Sequence, residues 1–142
     1  MSLGPLTYKT PNPVSNLTED LTNSEGCGVY LSDVYTVSLA TTTSRLPYGV
    51  VIVGANSTDG TGTGQIAAGA LEIVDAVGAV VQVKAGASAI SVGDSLQVNA
   101  TGAFVPAAGA VGTYVWGYAL TPADAGQQFL MRFSPYKVFS LT

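Results

Sequence analysis

The chain has 142 residues, with five Lys or Arg, nine Asp or Glu, no His and one Cys, and carries a formal net charge of −4. Five scattered cations cannot form the basic stripe that nucleic-acid binding requires, and without imidazoles or paired thiolates there is no zinc centre of the common kinds. A hydrophobic content of 47% with only 10% charged residues is incompatible with disorder along the whole chain.

At this length one domain with one core is the expectation. Residues 1–25 read differently from the rest. Pro5, Pro11 and Pro13 interrupt the stretch, remove backbone donors and bias their predecessors to extended conformations. This predicts an extended N-terminal arm over 1–25. Leu3, Leu6, Tyr8, Val14 and Leu17 are spaced along it, which suits an arm lying on another surface. No apolar run in its first residues is long enough for a secretory signal, and no stretch approaches the ~20 apolar residues of a membrane span. The expectation is synthesis in a cytoplasm with no membrane partner.

From Gly26 to Thr142 the pattern predicts a β domain with a short C-terminal tail. Cys27 has no partner for an intrachain disulfide and reads as a small buried hydrophobe. Two short alternating runs, Val29–Leu31 and Val34–Leu39, flank Ser32-Asp33. After Pro47-Tyr48-Gly49, the continuous apolar run Val50–Val53 predicts a buried strand. Asn56–Gly64 reads as a mobile surface loop rich in Gly and small polar residues. Residues 65–77 fit either a helix face or strands; Gly69 and the β-branched residues dilute helix propensity. The preferred reading is a hairpin of Ala70–Val74 and Ala79–Lys84 with a turn near Asp75–Gly78. Strands follow at Ser95–Asn99, Ala103–Pro106, Thr113–Leu120 and Gln127–Phe133, the last ending at Pro135. The tail carries Tyr136, Val138, Phe139 and Leu141. Short strands between turns at this spacing predict an all-β barrel or sandwich.

Little chemistry is on offer. There is no His to act as a base near pH 7, and Asp33, Asp59, Asp75, Asp94 and Asp124 sit at or beside turns, where Asp caps backbone N–H groups. Asp59–Gly64 lacks the Gly-Lys-Ser/Thr ending of a phosphate loop and the further acids of a calcium loop. Tyr114, Trp116 and Tyr118 share one strand parity and could form a sugar-stacking platform, but core or interface packing is the simpler use of such rings. The expectation is a non-enzyme without catalytic residues, metal or cofactor.

Several short motifs recur in a particular order: Gly26–Leu31 (GCGVYL), Pro47–Val51 (PYGVV), Val81–Gly86 (VQVKAG), Val92–Leu96 (VGDSL), Asn99–Val105 (NATGAFV), Trp116–Leu120 (WGYAL) and Ala123–Gln127 (ADAGQ). In this succession the region Gly26–Pro135 resembles the capsid decoration (cement) proteins of tailed bacteriophages. The resemblance implies a small β-barrel or β-tulip-like domain that forms a homotrimer on the outer surface of the capsid. Such a trimer clamps neighbouring major capsid protein subunits. On that reading the candidate capsid or subunit interface is Leu3, Leu6, Tyr8, Val14 and Leu17 of the arm with Tyr136 and Phe139 of the tail. The alternative is a carbohydrate- or receptor-binding β module on a virion fibre or cell surface.

Overall fold

The structure is a computed structural model and describes residues 14–140. Every regular element among them is a β-strand, arranged in two sheets. The first, sheet A, comprises β1 (Asn16–Leu17), β2 (Gly28–Asp33), β3 (Thr36–Leu39), β4 (Gly49–Val53), β5 (Gly64–Gln65) and β6 (Glu72–Val74), in the order β5-β1-β3-β2-β4-β6. The second, sheet B, comprises β7 (Val80–Lys84), β8 (Ser95–Val98), β9 (Phe104–Pro106), β10 (Tyr114–Ala119) and β11 (Gln128–Lys137), in the order β7-β11-β10-β8-β9. The all-β class expected of the domain is present, with a sheet curled into a half-barrel.

Alternation along the strands builds two cores. The inner residues of sheet B (Val81, Val83, Leu96, Val98, Phe104, Trp116, Phe129, Met131 and Phe133) pack with Val50, Tyr30 and Val74 of sheet A. The opposite parity of sheet A gives Leu17, Val29, Val37 and Val51 to a second core, closed by Leu21, Ala55, Ile66 and Leu71. Sheet A is therefore apolar on both faces, which is why Val50 and Val51 are consecutive buried residues. At the centre of the first core Trp116 meets Phe104 edge-on, with ring centroids 5.6 Å apart. Gly28 lies directly beneath it: a Cβ there would fall 2.7 Å from the indole ring.

Three expectations need correction. First, the described part of the supposed arm, residues 14–25, is built into the domain. Leu17 and Leu21 are 1% and 0% exposed, and β1 lies between β3 (parallel) and β5 (antiparallel). Ser15 and Asn16 both donate to the Tyr35 carbonyl, and Leu21 N–H donates to Ala55 O at 3.0 Å. The segment passes so close to the chain after β4 that a Cβ on Gly54 would sit 2.0 Å from Leu21 O. Prolines ahead of Val14 made the whole stretch read as unanchored; the leucines that follow them anchor it. Second, the strands expected around 70–84 form, but not as a hairpin: β6 pairs with β4 in sheet A and β7 with β11 in sheet B. The turn between them crosses from one sheet to the other. Third, Pro135 does not end the last strand. β11 runs on to Lys137 because the β10 pairing has a bulge between Val115 and Gly117, and the β7 ladder on the other side stops at Arg132. Pro135 thus sits where no neighbouring strand requires its missing N–H.

Because Leu21 is fully enclosed, Leu21→Ala should lower unfolding stability by about 2–5 kcal/mol in urea denaturation. A loss under about 0.5 kcal/mol, the range of ordinary surface changes, would mean residues 14–25 are not part of the folded body.

Candidate functional site

Among the described residues, those singled out as an interface do not come together. Leu3, Leu6 and Tyr8 lie outside the described residues. Val14 and Leu17 are buried in the second core and present no free apolar surface. Tyr136 and Phe139 are exposed, at 52% and 70%, at the end of sheet B. Lys137, between them, opposes Tyr114 across the ladder, and its Nζ lies 5.9 Å from the ring centroids of both Tyr114 and Phe139. Strand alternation puts Tyr136 on the other face from Lys137.

The aromatic strand does not make a platform. Trp116 points into the core at the register shift where Ser134 and Pro135 of β11 together oppose it, while Tyr118 remains exposed opposite Arg132 and Tyr114 is half-buried. Trp116 Nε1 is buried and finds no acceptor among the described residues, so the indole serves packing and offers nothing to a ligand.

The Asn56–Gly64 loop is more ordered than its composition suggests. Asp59 Oδ1 accepts from Ser57 Oγ at 2.7 Å, Thr61 Oγ1 at 2.8 Å and Thr61 N at 3.1 Å. Ser57 Oγ in turn accepts from Gly62 N at 2.9 Å. The Ser57 and Thr61 hydrogen bonds hold the Asp59 carboxyl below its ordinary pKa. The Asp59 carboxylate and the Ser57 and Thr61 hydroxyls are thereby committed to one another and to the loop's own backbone. Among the described residues no three Asp, Glu or Cys side chains meet as metal ligands. Burial pushes the Cys27 thiol up, partly offset by the charge of Lys84, which leaves it a weak nucleophile.

One feature had no clear sequence signal. A groove of about 530 Å³ opens between Tyr30, Leu31 and Ser32 of β2 and the segment 44–48. Arg45 lies over the Tyr30 ring, 4.6 Å from its centroid. Leu46 is 66% exposed on the rim. At the far wall burial raises the Tyr48 phenol, and the Asp75 charge and hydrogen bond raise it further. The sequence hint was slight: Arg45 is one of only five cations and directly precedes Leu46-Pro47.

No family model matches the chain, and no curated protein matches it. Among solved structures it is similar to the N base of head fiber gp8.5 of bacteriophage phi29. The match has 22% identity and a TM-score of 0.59, and covers 84% of this chain and 90% of that one. The likeness is one of fold.

The charged form of Asp59 is favoured in the folded loop. Its support is therefore present at neutral pH and lost as the pH falls through the lowered pKa. The amide NMR signals of Thr61 and Gly62 should titrate with a midpoint below the ordinary Asp value of about 3.9. A midpoint above it would contradict the hydrogen-bonded loop.

Proposed function

We propose that this chain is a non-catalytic structural protein of a phage virion, made in the host cytoplasm and seated on the outer surface of the head. In this reading it acts as a homotrimer that binds the major capsid protein and stabilises contacts between its subunits. The observation that carries the proposal is the fold shared with the base of a phage head fiber over most of both chains. Three further features support it. The ordered Gly- and Ala-rich motifs resemble those of capsid decoration proteins. The acids are spent on turns rather than gathered as reactive pairs. Tyr136 and Phe139 are large apolar side chains left exposed at the end of sheet B, each open to a partner's contact. A carbohydrate-binding reading is less well supported, since Trp116, the ring on which it leaned, is buried.

Light scattering on the purified protein should give three times the mass of one chain. The protein should cosediment with phage heads stripped of their surface proteins. The double variant Tyr136→Ser, Phe139→Ser should fold with an unchanged melting temperature and cosediment less. A strict monomer that ignores capsids would overturn the proposal.

A further inference from the structure

The groove beside β2 exists because a ladder stops early. β2 and β4 pair at Gly28↔Val50 and Val29↔Gly49, and Tyr48 N–H still donates to Val29 O at 3.1 Å. Continued by two residues, this register would set Leu31 opposite Pro47, which has no N–H to give. The segment 44–48 instead moves away and leaves the gap. Backbone groups alternate in direction along a strand. Gly28 O accepts from Ala40, on the β3 side, while Val29 O faces β4. Leu31, two residues on, thus turns its N–H and C=O into the groove, where β4 offers them no partner.

Three properties of this gap converge. It has an open strand edge at Leu31. It has apolar walls in Leu31, Leu46 and Pro47. Of its lining residues only Arg45 carries a formal charge, and Arg45 makes no ion pair among the described residues. The Arg45 guanidinium lies over the Tyr30 ring, its Cζ 4.6 Å from the centroid, and its planar fork of donors suits a carboxylate. It also covers that face of the ring, so a sugar cannot stack there.

We propose that the groove is a docking site for an extended, acidic peptide segment of a partner protein. The segment adds as a short strand along Leu31, places an Asp or Glu against Arg45 and packs alternate side chains on Leu46 and Pro47. This is strand addition at a sheet edge, with main-chain bonds for affinity and side-chain sites for selectivity. The inference stands independently of the virion reading, since any partner with such a segment satisfies it.

The test uses the isotope-labelled full chain and an acetylated, amidated heptapeptide of alternating Thr and Val with Asp at its centre. Millimolar peptide should shift the amide NMR signals of Leu31, Arg45 and Tyr48 saturably. The same peptide with a central Asn should bind about 5-fold more weakly, the size of an exposed ion pair. Arg45→Gln should erase that difference, so that the Asp and Asn peptides bind the variant alike. Its remaining amide signals report that the variant is folded. Absent shifts, shifts elsewhere on the protein or equal binding of the Asp and Asn peptides would overturn the proposal. So would equal shifts with tetragalacturonate, which would point to an acidic sugar.

Discussion

The rest of the structure is arranged around the burial of Trp116. Its indole fills the space between the sheets, edge-on to Phe104 and tilted against Phe133 at 6.3 Å. A ring of that size on a central strand demands small residues around it. Gly28 supplies the necessary gap on β2, and at the β-bulge in the β10–β11 ladder, where Ser134 and Pro135 together oppose it, the ring points inward rather than along the parity of Tyr118. The same bulge lets β11 continue through Pro135 and so carries Tyr136, Lys137 and Phe139 to the end of sheet B. One packing requirement thus sets the core, the break in strand parity and the position of the exposed tail residues.

Sheet A shows what a small chain does with little charge and many small side chains. Burying both faces doubles the use made of each strand. The second core needs a lid, and the lid is the segment 14–25 with Ala55, Ile66 and Leu71. The lid's polar backbone is hydrogen-bonded to its surroundings and within itself: Ser15 and Asn16 N–H donate to Tyr35 O, Leu21 N–H to Ala55 O and Ile66 N–H to Ser15 O. Glu19 reaches the Leu39 N–H at 3.0 Å. The N-terminal segment is therefore part of the fold's hydrogen-bond economy and not an appendage to it.

Most strands were legible because alternation over four to six residues is a local signal. The runs around Ser32-Asp33, Val50–Val53, Ser95–Asn99 and Thr113–Leu120 all lie where β2 to β4, β8 and β10 form. Pairing was less legible, since it depends on long-range partners. Nothing in residues 70–84 says that β6 and β7 join different sheets; the nearest hairpin was the economical reading. The boundary at Gly26 failed for a related reason. Leu17 and Leu21 have no apolar periodicity of their own, and their burial is dictated by Val29, Val37 and Val51 beneath them. Of the surface, Tyr136 and Phe139 were found from their apolar character in a terminal tail. The groove was not, because it arises from a register and a missing N–H rather than from any run of residues.

The scarcity of charge has a structural consequence beyond excluding catalytic classes. Polar groups are satisfied by short side chains acting on nearby backbone. Asn99 Oδ1 alone receives Thr101 N, Thr101 Oγ1 and Ala103 N, and Asp94 Oδ2 receives Ser91 N. Three of the described cations are handled differently. Arg45 rests on Tyr30, Lys137 lies between Tyr114 and Phe139, and Arg132 donates to the Gly78 carbonyl. A ring face or a carbonyl orients a cation without cancelling its charge, whereas a carboxylate would do both. In a chain with a net charge of −4, acids were available to neutralise these positions and were used at turns instead. Arg45, Lys137 and Arg132 are left charged and oriented by rings or a carbonyl, the property on which the proposed acidic peptide at Arg45 relies. Each of these three charges is given a direction by an aromatic ring or a backbone carbonyl.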